Sequence, residues 1–575
     1  MGSFFLKHKE AECNMSSVAQ IYKEKGFQEA PIKKVMGDWE FFFYPKQDVV
    51  SPQFLEKANT VLFVTGTHIR RKRKQEESIE LSLGELNRSI LNTQDCLGTY
   101  ALIHFCDKQI TINLAPGNLQ NIFYSENKRI FSSSFLAICS AISKCTINKD
   151  AATEVLCTGS LIGPDTLVNE VSRFEPNMVH EDEGLQISHL PETRIQGVFK
   201  GEYAEAVESQ LKTLNEYFQD TAPFADEQGV DSGITSGHDS RLLLALMKRN
   251  WHRFQIHTHY RTNKSLEVEI ADEVASKVNL PLLKQTVNDA FLLEGDDILM
   301  SFEKSFLFCD GLIRMHGFWM EEYNSADYRK KLLNDKTLGI SGIGGEQYRN
   351  GENLLFKNYN FRRFLEYQLV KNIAGSCFKN KQDESQFLDY FETKVRAQLG
   401  IDRKKKVNKL TIKRYFNEIL PSSRLGGRNN SENQISFFIS PFLEDSITKS
   451  AYKILPYLGV NNGFQQSMLR KVDPDLAKVR SDYGYDFYVG ESSKNKFKAI
   501  IRGLLPAKLY QNLIDRRFQQ LSTRTETYLN KQYPKEFLKN VRDLDLPINL
   551  NTLLKRPDLM PLVLDLGYFI KRITK

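Results

Sequence analysis

Between Val230 and Asn250 a short apolar segment runs into a loop of glycine and hydroxyl residues and then into an amphipathic stretch, Gly233-Ile-Thr-Ser-Gly-His-Asp-Ser-Arg-Leu-Leu-Leu-Ala-Leu-Met247. That succession predicts strand, tight turn and helix, and commits the surrounding chain to an α/β build. Thr235, Ser236 and Gly237 carry little bulk, so backbone N–H groups and hydroxyls there can approach a polyanion closely. A helix opening near Ser240 adds its positive dipole end. Asp239 offers one hard oxygen beside bound phosphates, which is what magnesium takes from protein. The order Gly-x-x-x-x-Gly-Lys-[Ser/Thr] is absent, so this is not a Walker A loop. The same composition also makes a strand-to-helix turn with no ligand, and the rest of the chain has to decide.

At 575 residues the chain is long enough for two or more cores. Its 78 Lys and Arg against 71 Asp and Glu leave a net charge of +7, too modest to imply a polyanionic partner. The basic runs Arg70-Arg-Lys-Arg-Lys74 and Arg403-Lys-Lys-Lys406 have no interleaved aromatics, so they read as solvated loops and no nucleic-acid partner is expected. Eight cysteines without a Cys-x-x-Cys pair read as reduced thiols. The N-terminus lacks a sustained apolar segment, Leu6 stands where a myristoylation motif takes Ser or Thr, and no apolar run is long enough to span a bilayer. A cytoplasmic protein with no membrane partner is therefore expected.

From about Gly37 to Ser140 short alternating segments predict a β-rich unit, among them Trp39–Tyr44, Thr60–Val64, Thr99–Phe105, Gln109–Asn113 and Asn121–Tyr124. Around Gly197 to Asp226 the pattern becomes helical, with Tyr203, Val207, Leu211, Leu214 and Phe218 at spacings of three and four. Arg253–Tyr260 then reads as a strand and Ser265–Val278 as a helix. Strands alternating with helices predict a doubly wound parallel sheet, with ligands at the strand C-termini. Beyond Leu354 the chain reads as mostly helical.

A second glycine-rich turn, Leu338-Gly-Ile-Ser-Gly-Ile-Gly-Gly-Glu-Gln-Tyr-Arg-Asn-Gly351, follows another apolar segment. The first loop resembles the Ser-Gly-Gly-x-Asp-Ser PP-loop of ATP pyrophosphatases, relaxed to Thr235 and Ser236. With Ser440-Pro-Phe-Leu-Glu-Asp445 and Met468-Leu-Arg-Lys471, the two turns resemble the synthetase domain of the asparagine synthetase family, which includes β-lactam synthetases and lasso-peptide cyclases. Upstream, Gly98–Phe105 and Ile130–Ser134 are similar to core strands of that family's N-terminal glutaminase domain, while Pro164–Leu167 and Phe174–Pro176 fit its link to the synthetase half. The resemblance covers nearly the whole chain. It implies an α/β protein: an Ntn-hydrolase-like β-rich sandwich over residues 1–197, then a PP-loop domain of the adenine nucleotide α-hydrolase type over 198–575, with a helical C-terminal part.

The resemblance also implies ATP and Mg²⁺ as cofactors. Asp239 and Glu346 would hold the metal, Glu346 standing where relatives have aspartate. Ile234, Thr235, Ser236, Gly237, His238, Asp239 and Ser240 would line the nucleotide, Ser341 and Gly342 would border it, and Ile234 and Thr258 would offer main-chain contacts to adenine. Arg241 and Arg349 would neutralise departing pyrophosphate or serve as surface ion-pair partners. Asp310, Arg314 and His316, in the segment before the second turn, are candidates for reading the substrate. His257 and His259 share one face of a strand and read as packing or, with a third ligand, as a metal pair.

Further departures from the family pattern bear on the chemistry. Ile343 occupies the place of a catalytic Glu, Tyr or His, and isoleucine moves no proton. Arg480-Ser-Asp-Tyr-Gly-Tyr485 resembles the family's Arg-x-Lys-x-Gly-Phe, with Asp482 replacing the lysine and Lys478 or Arg480 left to stabilise developing charge. Glutaminase chemistry needs an N-terminal cysteine and an oxyanion-binding Asn-Gly pair, where this chain has Met1-Gly2 and Thr65-Gly66.

The expected activity is therefore that of an AMP- and pyrophosphate-forming amide synthetase without its own glutaminase. It would act on a small-molecule, peptide or sugar-acid carboxylate with an amine or ammonia as co-substrate, and a homodimer is compatible with this. The alternative is a silent relative that binds nucleotide as a partner or regulatory subunit, which Ile343 and Asp482 favour.

Overall fold

Alternating apolar residues in the N-terminal third build two six-stranded sheets. The first runs in the order Val171–Arg173, Phe123–Ser125, Ile130–Ser132, Ser3–His8, Trp39–Tyr44 and Ile32–Met36, antiparallel throughout. The second runs His180–Asp182, Leu185–His189, Gln109–Leu114, Cys96–Cys106, Thr60–Arg70 and Phe54–Lys57, with one parallel pair between Leu185–His189 and Gln109–Leu114. The computed structural model describes residues 2–117, 119–195, 197–261, 265–313, 325–351, 354, 358–372, 377–402, 406–459, 462–504, 509, 522–556 and 559–574.

The facing sides of the two sheets carry Phe4, Leu6, Phe41 and Phe43 against Phe63, Ile103, Phe105 and Ile112, and the Phe41 and Phe63 rings lie 5.0 Å apart. Each such ring withdrawn from water contributes about 1.5–3 kcal/mol. The outer faces are covered by helices. Met15–Glu24 and Phe135–Ala141 pack on the first sheet, Tyr22 stacking on Tyr44 at 3.6 Å, and Gln75–Leu86 packs on the second through Ile79 and Leu83. The unit is a helix–sheet–sheet–helix sandwich.

The helical spacing after Glu202 produces the long helix Tyr203–Gln228, which feeds a five-stranded, wholly parallel sheet. Its spatial order is Leu282–Thr286, Phe254–Tyr260, Val230–Gly233, Leu338–Ile340 and Phe437–Ile439. The chain thus starts in the centre, steps outward on one side, and returns to build the other. The order reverses between Val230–Gly233 and Leu338–Ile340, and a crevice for ligands opens at such a reversal, beyond the carboxyl ends of the strands. The strand Phe437–Ile439 lies in the region expected to be mostly helical. Three residues are too few to show a period, and Leu338–Ile340 fixes it by pairing.

The helix Leu420–Ile435 lies between the sandwich and the parallel sheet, and Asn429 through Gln434 are all buried on it. Buried polar groups need partners. Asn430 Nδ2 donates to the carbonyls of Asn121 and Ser133 at 2.9 and 3.0 Å, Lys46 Nζ donates to Asn433 O and Ser436 O at 3.0 and 3.2 Å, and Phe438 N donates to Thr67 Oγ1 at 2.8 Å. The expected boundary at residue 197 falls in the irregular stretch between the strand Leu185–His189 and the helix Tyr203–Gln228. Among the described residues no helix is long and apolar enough to cross a membrane.

Candidate functional site

The loop after Val230–Gly233 ends at Gly237, which caps the thirteen-residue helix His238–Asn250. The first N–H groups of a helix have no carbonyl one turn earlier to bond, so they are open to an anion. The loop is held by hydroxyls: Thr235 N donates to Ser240 Oγ at 3.2 Å, Gly237 N to Thr235 Oγ1 at 3.2 Å, and the Thr235 and Ser240 hydroxyls meet at 3.0 Å. Thr235 is exposed and Ser236 is buried.

The turn after Leu338–Ile340 packs directly on this loop. A Cβ on Gly345 would stand 2.1 Å from Asp239 Oδ1, and one on Gly342 would stand 3.2 Å from the Asp239 carbonyl carbon. Only glycine allows that approach, and Gly344 between them has φ +98°, a region that also favours glycine. Ser341 N donates to Ile439 O at 3.0 Å and Ser341 Oγ accepts from Ile343 N at 3.3 Å, which fixes the turn to the outer strand.

Asp239 is the convergence point. Arg349 Nη2 donates to its Oδ2 at 2.7 Å and Gln465 Nε2 to its Oδ1 at 2.6 Å. The same Arg349 nitrogen lies 3.4 Å from Glu346 Oε1, so one guanidinium stands between the two carboxylates. Glu346 is otherwise exposed, and its Oε2 accepts from Gly344 N at 3.0 Å. Burial pushes the Asp239 carboxyl up to about 6, Arg349 pulling it back and Glu346 adding to the rise.

These groups fit a hydrated magnesium ion. The position between Asp239 and Glu346 already holds positive charge, both donors are hard carboxylate oxygens, and Gln465 Oε1 is buried beside them without a hydrogen-bond partner. Magnesium keeps several of its waters, and a metal-bound water is the donor such an acceptor needs.

Other expected site residues are used differently. The His238 ring is buried, stacks on Phe487 at 3.7 Å and is pushed by burial down to about 3, so only its main chain faces the loop. Arg241 is fully buried: Nη1 and Nη2 donate to Val479 O and Arg480 O at 2.7 and 2.5 Å, and its guanidinium lies over Phe487. It anchors a backbone segment and is not free for pyrophosphate. The Arg480 side chain turns outward to Glu269 and Glu273 at 3.1 and 2.7 Å, and Lys478 pairs with Asp475 at 3.3 Å. Neither side chain reaches the convergence point: Arg241 holds the carbonyls of Val479 and Arg480, and the Arg480 and Lys478 side chains pair with acids at the surface.

Ile234 puts its side chain in the core while its N–H donates to His257 O at 2.7 Å, and Thr258 is buried on the neighbouring strand. Asp310 is also put to another use. It is wholly buried, meets Lys25 Nζ at 2.5 Å, and accepts from Ser134 Oγ and Phe135 N at 2.6 Å each, so it joins the two halves of the chain. Arg314 and His316 lie outside the described residues. His257 and His259 have partners of their own, Asp231 at 2.9 Å and Tyr328 at 2.6 Å.

Two site residues escaped the sequence reading. Gln465, on the helix Gly463–Val472, sits next to the Met468–Lys471 motif but has no distinctive composition around it. Tyr483 rests its ring 5.2 Å from that of His238, and burial pushes its phenol up, with Arg349, Asp239 and Glu346 among the charges acting on it. The aromatic cluster Tyr483-Gly-Tyr-Asp-Phe487 was the available signal.

No family model matches the chain, and no curated protein matches it.

Proposed function

We propose that the chain is an ATP-dependent, AMP- and pyrophosphate-forming amide synthetase of the asparagine synthetase type, with an Ntn-like sandwich that has no glutaminase chemistry. What carries the reading is the meeting of two glycine turns, from strands on either side of the topological switch point, at a single carboxylate, Asp239. The helix N-terminus at His238 and the Thr235, Ser236 and Ser240 hydroxyls would hold phosphate oxygens. Asp239 and Glu346 would hold Mg²⁺, which when bound neutralises phosphate charge. Arg349, at the meeting of the two turns, would pair with pyrophosphate once the cation takes its place on Asp239.

In the reaction a substrate carboxylate oxygen attacks the α-phosphorus and pyrophosphate leaves. An amine nitrogen then attacks the acyl carbon and AMP leaves, so that an amide forms and the amine gives up a proton. Activation is needed because a free carboxylate is a poor electrophile. The amine would come from a co-substrate, the substrate itself or ammonia, because Met1-Gly2 and Thr65-Gly66 stand where the glutaminase cysteine and Asn-Gly pair are expected. A side chain at Gly2 would crowd Phe43, a Cβ there standing 2.3 Å from its Cζ, and Thr65, whose Oγ1 is buried and unpartnered, stands where the resemblance expects the oxyanion asparagine.

One observation favours a second reading, a nucleotide-binding partner without turnover: Arg480 and Lys478 are turned to surface acids, so neither takes the place of the lysine that Asp482 replaces. The melting midpoint with and without magnesium-ATP, followed by AMP release with candidate acids and amines, separates the readings. A midpoint rise in the wild type that Asp239→Ala removes, together with AMP release, supports the synthetase. A rise without AMP release supports the partner role, and no rise at saturating nucleotide rejects both.

A further inference from the structure

The helix Ser493–Leu504 is amphipathic, and its apolar stripe faces water. Phe497, Ile501 and Leu504 follow the i, i+4, i+7 spacing of one helix face, yet they are 64%, 44% and 55% exposed. None of the described side chains on this helix is buried. A surface helix of a globular protein ordinarily turns such a stripe inward.

The charge on this helix has one sign. Residues 493–504 contain Lys494, Lys496, Lys498 and Arg502 and no acidic residue. The three lysines are exposed and make no ion pair among the described residues. Lys494 and Lys498 are a turn apart, and Lys496 adjoins the stripe from its other side, so long stems can lie along apolar surface while their ammonium groups reach outward.

We propose that Ser493–Leu504 is a docking surface for an anionic lipid membrane, lying in the plane of the headgroups with Phe497, Ile501 and Leu504 inserted and the lysines against lipid phosphates. Helices with this combination of apolar stripe and basic flanks bind at such interfaces through buried apolar area plus attraction to anionic lipid. A second copy of the chain fits less well, because a two-fold contact on this face would bring the two sets of lysines together. The absence of a spanning segment, from which no membrane contact was expected, does not bear on a helix that lies on the surface. The docking surface is independent of the nucleotide site.

The test is flotation of the full chain with vesicles of phosphatidylcholine alone and of phosphatidylcholine with phosphatidylglycerol, at low and high salt. Binding to the anionic vesicles, weakened by salt, is expected. Lys494→Glu/Lys496→Glu/Lys498→Glu should weaken it by at least a hundredfold, at roughly fivefold for each lysine removed and more for the reversed charge. Phe497→Ser/Ile501→Ser should weaken it without changing the melting midpoint, since both side chains are exposed. No binding to anionic vesicles, or binding that survives the Phe497→Ser/Ile501→Ser change, overturns the proposal. So does a wild-type dimer in sedimentation that this double change dissociates while vesicle binding stays at background, which would assign the face to a second copy.

Discussion

Arg349 holds Asp239 through a 2.7 Å hydrogen bond, although the two residues are 110 positions apart and belong to different glycine turns. The pair marks where the turns meet, and it compensates the charge of a half-buried carboxylate. On the proposed reading, a divalent ion held by Asp239 and Glu346 would take over that task, and Arg349 would turn to pyrophosphate. Arg349→Ala should therefore leave magnesium binding in place and weaken release or binding of pyrophosphate. The measurement is inhibition by added pyrophosphate, which should weaken by roughly tenfold or more for loss of a charged hydrogen-bonding partner.

Asp239 has its carboxyl pushed up to about 6 from an ordinary value of 3.8. A raised carboxyl favours the proton in the folded state, so its stabilising effect is full at low pH and is lost as pH rises through about 4 to 6. At neutral pH the charged form costs on the order of 3 kcal/mol. Asp239→Asn should therefore melt no lower than wild type at pH 7.5 while losing its response to magnesium-ATP. Melting curves at pH 4 and pH 7.5, with and without nucleotide, check both halves.

Glu444 carries the same sign of effect at the junction of the two halves. It accepts from Gly98 N at 2.9 Å, and burial pushes its carboxyl from 4.5 up to about 7. Stability from this group declines between about pH 4.5 and 7. Glu444→Gln keeps an acceptor for Gly98 and removes the charge, so its midpoint should match wild type near pH 4 and exceed it at pH 8, by about 2–3 kcal/mol of stability at most. A variant that retains the wild-type slope between those pH values would show that Glu444 is not the group responsible.

Lys25 and Asp310 form an ion pair with both side chains 1% exposed. Removing one partner strands a buried charge, so Lys25→Met should cost about 3–5 kcal/mol. Lys23→Met, on the exposed face of the helix Met15–Glu24 that Lys25 follows, should cost little. Urea midpoints of the two variants make the comparison, and equal midpoints would contradict the structural role of the pair.

Gly345→Ala places a methyl group 2.1 Å from Asp239 Oδ1, whereas Gly351→Ala meets nothing within 4 Å. The first should abolish stabilisation by magnesium-ATP and lower stability by about 1–3 kcal/mol, the usual range for overpacking. The second should change neither, as calorimetry of the two proteins would show.

The sequence by itself determined what depends on near neighbours. Alternation along Trp39–Tyr44 and Gln109–Leu114 made strands, the spacing from Tyr203 to Phe218 made a helix, and small residues at Thr235–Gly237 made the turn into His238–Asn250. The α/β build and the parallel sheet follow from those patterns.

Only the tertiary structure decided what depends on contacts far apart in the chain. Leu338–Ile340 and Phe437–Ile439 are too short to carry a period and exist as strands because each has a paired neighbour. Asp310 looked free to read a ligand and is instead committed to Lys25, 285 residues earlier, while Arg241 looked like a phosphate partner and is spent on two carbonyls near residue 480. Gln465 entered the site because the helix that bears it packs beside Asp239. A side chain's type is written locally, but whether its charge is satisfied by protein or left for a ligand is fixed only when distant segments close around it.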